Sequence, residues 1–290
     1  MLNRVLELVA SQGWFDVSTA FEKTINLTQG ACLWLMLTRK GACDTYVKFS
    51  DCASLGLEAQ RCAEASRCYP TLAPRFIGHL HQDGLHVLVC RAVDHCGFDA
   101  GHLNRSGLGA SALRDLNGYF TSMTAAQLPQ ELTPIQNVDL IDDFGAYFAA
   151  NYLAPLARRW LCSDAIWFAM SLPNIPQHGD FVINNIGQVR GGGVVVFDWE
   201  DFGVSCLPGL DLFTLELSVA GDAAGLFYGR DRLFDPLQRF VRAACEAIQL
   251  ESTDYHMLTP VYALVFRHLK RNYGPEVRQR MDLLLHDLSQ

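Results

Sequence analysis

Apolar positions recur at helical spacing from the start of the chain: Leu2, Val5, Leu6 and Val9 fall on one face of residues 2–11. The pattern then changes to runs of strand type. Cys32–Thr38 and Thr45–Phe49 are two such runs, joined by Arg39-Lys40-Gly41-Ala42, a turn containing glycine. Helical spacing returns from Ser54 to Arg67, where Leu57, Arg61 and Ala65 lie a turn apart. Phe76–His81 and His86–Cys90 again read as strands, and the Asp83-Gly84 between them is a strong hairpin signal. After the first helix the expected order is therefore strand, strand, helix, strand, strand. Beyond Val93 the pattern is mostly helical, over residues 105–127, 138–161, 208–220, 231–249 and 255–272, with a last amphipathic stretch at 275–288. A non-helical insert, 174–206, interrupts it and holds one continuous apolar strand, Val194–Phe197. The fold class expected is α+β: a small β-rich region with one internal helix, residues 1–93, and a larger, mainly helical region, residues 94–290.

Composition narrows what such a chain does. With 290 residues, 50% hydrophobic and 19% charged, it is long and apolar enough to bury a sizeable core, which excludes a disordered chain. The formal net charge of −8 argues against broad electrostatic binding to nucleic acid. Its longest apolar stretches fall far short of the roughly 18 residues a membrane span needs, and Glu7 interrupts the first apolar turns of what would be a signal sequence. The expectation is a cytoplasmic protein with neither a membrane nor a nucleic-acid partner. Of the ten cysteines, no two have the C-x-x-C spacing of a zinc or redox centre, so they read as small hydrophobes. Lysine is scarce: Lys23, Lys40, Lys48 and Lys270 are the complete set.

Candidate chemistry lies in the insert. His178-Gly179-Asp180-Phe181-Val182-Ile183-Asn184-Asn185 is followed by Val194-Val195-Val196-Phe197-Asp198-Trp199-Glu200-Asp201. Phosphoryl transfer needs a carboxylate to accept the acceptor's hydroxyl hydrogen bond, and Asp180 sits on a loop suited to it. Magnesium needs hard oxygen ligands, which the amide of Asn185 and the carboxylate of Asp198 offer. The apolar strand before Asp198 would anchor it rigidly.

These two segments resemble the aminoglycoside phosphotransferase and choline kinase family, whose catalytic loop reads H-G-D-x-x-x-x-N and whose next hydrophobic strand ends in I-D-W-E or a similar run. The resemblance implies a bilobal protein-kinase-like fold with ATP in the cleft, Asp180 as catalytic base, His178 as a loop-orienting residue, and Asn185 and Asp198 as magnesium ligands. It also implies a lysine on the third strand of the small lobe, paired with a glutamate in the following helix. Val47-Lys48-Phe49 supplies the lysine, for the α/β-phosphates, and Glu58 or Glu64 the partner. Leu88 to Val93 matches the hinge, where the backbone at Cys90 and Val93 would meet adenine. Two departures stand out. Asn26 to Ala31 has a single glycine where a phosphate loop would be richer, and Asp201-Phe202-Gly203 imitates the protein-kinase triplet three residues late.

The expected function is an ATP- and Mg2+-dependent small-molecule kinase, with an aminoglycoside, an amino alcohol or a sugar as acceptor; the oligomeric state is open. A catalytically silent ATP-binding regulatory module is the alternative, supported by the poor glycine loop. A metal-dependent phosphoesterase is disfavoured because His178 has no partner histidine nearby. Asp211 reads as a first-turn helix carboxylate, although it also resembles the family's acid that braces the catalytic loop. Arg267, Lys270 and Arg271 read as a solvated helix face. Glu200 and Asp201 would bind either a cationic group of the acceptor or a backbone amide, and Tyr255, Tyr262, Phe266 and Tyr273 read as core.

Overall fold

A computed structural model describes residues 2–15, 21–27, 33–39, 42–97, 108–123, 164–190, 192–220 and 235–270, together with 279 and 282–283. The chain divides into two compact units, Met1–Cys96 with Gly187–Glu200, and Gly97–Ile186 with Asp201–Gln290. Both α and β elements are present, as expected of an α+β chain.

The first unit is built on a five-stranded antiparallel sheet. Its strands are β1 (Phe21–Leu27), β2 (Leu33–Arg39), β3 (Ala42–Ser50), β4 (Phe76–Gln82) and β5 (Leu85–Arg91), in the spatial order β1-β2-β3-β5-β4. β3 is central, pairing with both β2 and β5. Alternation along β3 then sorts its side chains onto two faces. Val47 and Phe49 enter a core cluster with Val87 and Val89 of β5 and with Val5, Leu8 and Val9 of α1 (Leu2–Ser11). Lys48 points to the other face, directly across from Leu88, which packs on Leu55 and Ala59 of α2 (Ser54–Cys68). Apolar alternation thus places one helix on each face and turns the lysine toward α2. Between β4 and β5, Asp83 and Gly84 both have positive φ, 50° and 76°, the left-handed pair that a type I′ hairpin requires.

α2 differs from its sequence reading in which face is buried. Leu55, Glu58, Ala59 and Ala65 face inward, whereas Leu57 is 56% exposed. A carboxylate occupies the inner face because a buried ammonium meets it there, and apolar spacing alone carries no sign of that. β1 escapes the pattern because Lys23 interrupts the alternation Phe21-Ile25-Leu27. With β1 in place, Lys48 lies on the third strand of the chain. Two further short strands, β6 (His95–Gly97) and β7 (Ile186–Val189), join β8 (Val194–Val196) in a second sheet, in the order β6-β7-β8. This pairing draws residues 187–200 into the first unit. Val196 N–H also donates to Leu72 C=O at 2.8 Å, and Trp199 stacks on Tyr69 with ring centroids 5.5 Å apart.

The second unit is helical: α3 (Leu108–Met123), α4 (Asp164–Ser171), α5 (Leu210–Ala220), α6 (Asp235–Ala247), α7 (Ser252–Met257) and α8 (Thr259–Leu269). The stretch read as one helix over 255–272 is broken at Leu258, and Pro260, which fits a first helical turn, starts α8. α4 has only eight residues and exposes Trp167 beside buried Ala165 and Ile166, too short a run for its period to register. The helices expected at 138–161 and 275–288 lie wholly or mostly outside the described residues. Tyr255, Tyr262 and Phe266 are buried core, while Tyr273 lies outside the described residues. Tyr262 Oη donates to Pro208 C=O at 2.8 Å, which ties α8 to the entry of α5. Among the described residues, no helix is long and apolar enough to cross a membrane.

Candidate active site

Strand β3 presents Lys48 and α2 presents Glu58, and the two side chains meet. Lys48 Nζ donates to both carboxylate oxygens of Glu58, at 2.8 and 2.7 Å, and lies 3.6 Å from Glu200 Oε2. Burial opposes the charge on Lys48, but Glu58, Glu200 and Asp198 together outweigh it, Glu58 most of the three, so the ammonium titrates above its ordinary value. Glu64, the other glutamate of α2, turns to the surface, where Arg67 donates to it at 2.8 and 3.0 Å. Of the two acids, Glu58 is the one that holds Lys48.

Asp198 follows β8, and its φ of 62° is left-handed, a conformation that costs a non-glycine residue about 1–3 kcal/mol. The turn is fixed from both sides: Trp199 Nε1 donates to Val196 C=O at 2.7 Å, and Arg61 donates to the carbonyl of Glu200. The carboxylate oxygens of Glu58, Asp198 and Glu200 come within 4.8 Å of one another. Such a set of hard oxygens suits magnesium. Cys90 lies on β5 opposite Tyr46, its thiol pushed up to about 12 by burial and then by Glu58. In Val93, whose backbone is expected to meet adenine, the carbonyl lies 2.8 Å from His95 Nδ1.

In the second unit, the loop carrying Asp180 is held almost atom by atom. Asp211, buried in the first turn of α5, accepts the backbone N–H of His178 at 2.7 Å and of Gly179 at 2.9 Å, and the hydroxyl of Tyr119 at 2.6 Å. It is therefore more than a first-turn charge: it braces the loop. Gly179 has φ 87°, and a Cβ there would lie 2.8 Å from Asp201 Cβ, so both conformation and space demand glycine. His178 is buried, and its Nδ1 accepts the Asp180 N–H at 3.2 Å, which leaves Nε2 to carry the ring proton. Phe181 stacks on Tyr119 with centroids 4.7 Å apart. Asn185 Nδ2 donates to the Asp180 carbonyl at 2.9 Å, which turns its amide oxygen, the atom a cation would use, the other way.

Lys270, at the end of α8, completes this group. Its side chain is 2% exposed, and Nζ lies 3.2 Å from Asp180 Oδ2 and 3.0 Å from Asp201 Oδ2. Burial raises the carboxyl pKa of Asp180 above its ordinary value, and Asp201 pushes the same way, while Lys270 and Asn185 oppose them. The expectation of a solvated face at 267–271 is thus corrected. α8 is buried all round over 259–268, and its cations are paired inside, Arg267 with Asp282 at 2.8 Å and Lys270 with the two aspartates. Arg271 lies outside the described residues. The sequence held one hint of this: Lys270 is one of only four lysines.

Solved structures share this arrangement of elements. APH(2'')-IIa, in its ternary complex with streptomycin and ATP, superposes with a TM-score of 0.64 at 12% identity, over 97% of this chain and 95% of that one. The choline kinase LicA from Streptococcus pneumoniae gives 0.62 at 12% identity over 98% of both chains. The aminoglycoside phosphotransferase APH(4)-Ia gives 0.59 at 14% identity, again over 98% of both. The chain has the aminoglycoside phosphotransferase and choline kinase fold. No family model and no curated protein matches the sequence. At these identities the likeness shows the fold, and the chemistry of this chain has to be argued from its own side chains.

Proposed function

We propose that the protein is a phosphotransferase that moves the γ-phosphate of ATP to a hydroxyl of a small molecule. The observation that carries this reading is the Asp180 carboxylate, presented on a loop fixed by Asp211 and Asn185, in a chain with a small-molecule kinase fold. Residues 1–93 serve as the nucleotide-binding region and 94–290 as the catalytic and acceptor-binding region. Lys48, held by Glu58, contacts the α/β-phosphates, and the β5 backbone from Cys90 toward Val93 meets the adenine. Asp180 orients the acceptor hydroxyl and takes its proton as the phosphoryl group arrives. Asp198 and Asn185 each offer a hard oxygen of the kind magnesium takes, and magnesium when bound would neutralise charge on the phosphates. Aminoglycosides, amino alcohols and sugars are the acceptor classes in view. Streptomycin in the APH(2'')-IIa complex and choline in the name of LicA support the first two. The place of action is the cytoplasm, where ATP is abundant.

The test is a thermal-shift titration with Mg2+ and ATP on the wild type and on Lys48→Met and Glu58→Gln. A ligand that binds only the folded state at 100 times its Kd stabilises by about 2.7 kcal/mol, a shift of several degrees for a protein of this size. The wild type is expected to shift. Each variant is expected to need about 10- to 100-fold more ATP, and the double variant no more than the worse single one, because the pair acts as a unit. Equal shifts in wild type and variants would remove Lys48 from nucleotide binding, and no shift in any protein would remove the nucleotide.

A further inference from the structure

Lys270 needs an explanation beyond stability. Its ammonium is almost fully buried and bridges two carboxylates, 3.2 Å from Asp180 and 3.0 Å from Asp201, and Nζ also lies over the Phe266 ring, 5.8 Å from its centroid. Replacing a buried ion pair by well-packed apolar groups is often neutral or stabilising, so folding alone is a weak reason for a lysine here. Its position at the C-terminal end of α8, where the helix dipole favours a cation, makes the site hospitable but does not explain its partners. The partners do. One is the carboxylate assigned to the acceptor hydroxyl. The other, Asp201, sits one van der Waals contact from Gly179, the residue just before Asp180.

We propose that Lys270 is a positioning residue for phosphoryl transfer, clamping Oδ2 of Asp180 against Asp201 so that Oδ1 is the oxygen turned to the acceptor hydroxyl. This rests on the phosphotransferase reading above and adds to it a residue from the last described helix. A carboxylate on a short side chain has two torsions to fix. The backbone contacts of His178, Gly179 and Asn185 settle the main chain of the loop, but only Nζ of Lys270 and, at 3.4 Å, Nδ2 of Asn185 reach the carboxylate itself among the hydrogen bonds of the described residues. Without the ammonium, two neighbouring carboxylates face one another and the Asp180 side chain turns away. A misplacement of about 1 Å at a reacting group lowers turnover by about 100-fold.

The experiment compares the wild type with Lys270→Met, which keeps an unbranched side chain of similar length without the charge, and with Lys270→Ala, which leaves a hole for a small amine. In steady-state assays with the acceptor that the wild type uses, Lys270→Met is expected to lose about 100-fold in kcat, with KM for ATP within about threefold and Tm within a few degrees. Ethylammonium added to Lys270→Ala is expected to restore kcat in a saturable way, and to restore nothing in the Asp180→Asn, Lys270→Ala double variant. A purely structural lysine would move Tm and leave kcat per folded molecule alone. If Lys270→Met does not fold, Asp201→Asn, which removes the anchor and keeps the cation, is expected to lose about 10-fold in kcat. Wild-type kcat in Lys270→Met, or an alanine variant whose loss no amine relieves, overturns the inference and leaves the phosphotransferase reading standing. A wild type that turns over no ATP with any acceptor overturns both.

Discussion

Asp180→Asn is expected to lower kcat by about 100- to 10,000-fold while the Kd for ATP stays within about threefold, as measured by steady-state turnover and equilibrium binding on the same preparation. The substitution keeps the shape of the side chain and its backbone contacts with His178 and Asn185. What it removes is the negative charge and one acceptor. An amide cannot take a proton from the acceptor hydroxyl, so the loss falls on the chemical step, whereas Lys48, proposed to meet the phosphates, and Glu58, which holds it, are untouched. The substitution also deprives Lys270 of one of its two anionic partners, leaving Asp201 at 3.0 Å as the other, so a modest drop in Tm accompanies the loss of rate. A variant that turned over at the wild-type rate would show that Asp180 takes no part in proton transfer.

The second large effect is expected from Asp211→Ala, and it falls first on stability. The carboxylate accepts two backbone N–H groups and the Tyr119 hydroxyl, all buried. Each donor left without a partner costs about 1–3 kcal/mol, so the variant is expected to lose about 3–5 kcal/mol and to melt on the order of 10 °C lower. Asp211→Asn separates the charge from the shape. Its amide oxygen accepts one N–H, but its NH2 group faces the other as donor against donor, so it is expected to lose about half as much stability. Both variants are also expected to lower kcat more than they raise KM for ATP, because the N–H groups released belong to His178 and Gly179, which set the direction of Asp180. Tyr119→Phe, which removes the bond to Asp211 and the longer one that the hydroxyl accepts from the His178 N–H, and leaves the two backbone contacts of Asp211, is expected to cost about 1–2 kcal/mol. Scanning calorimetry on the three variants orders them. An alanine variant as stable as wild type would contradict the brace.

Local chemistry was the part of this protein most open to reading from its sequence. Lys48 stands out as a lysine between apolar neighbours on a strand. Asp180, Asn185 and Asp198 lie within a short window where a loop meets a continuous apolar strand, and the resemblance of that window to small-molecule kinases implies their roles. The hairpin at Asp83-Gly84 is legible because only a few residue pairs tolerate left-handed backbone at both positions. What resists reading is set by partners distant along the chain. Lys270 looks like part of a polar stripe until the fold puts Asp201, 69 residues away, against it. Asp211 looks like an ordinary helix-start acid until His178 and Gly179 turn their N–H groups to it. Glu58 lies on the inner face of α2 with Leu55, Ala59 and Ala65, where it meets Lys48, while Leu57 is left in solvent, and apolar spacing alone does not show that. Short strands such as β6 and β7, of three and four residues, carry too few positions for alternation to show, and they pair through β7, which lies between β6 and β8.

The measurement that tests the central claim most directly follows the phosphorus. ATP labelled at the γ-phosphate is incubated with magnesium, the wild type and a panel of aminoglycosides, amino alcohols and sugars, with Asp180→Asn run beside it, and the products are separated for label. The account predicts label on the hydroxyl of one acceptor class, with one ADP formed for each phosphate transferred, and none above background in the variant. Label that stays on ATP with every acceptor while the wild type binds nucleotide, or transfer that proceeds equally in Asp180→Asn, would contradict it.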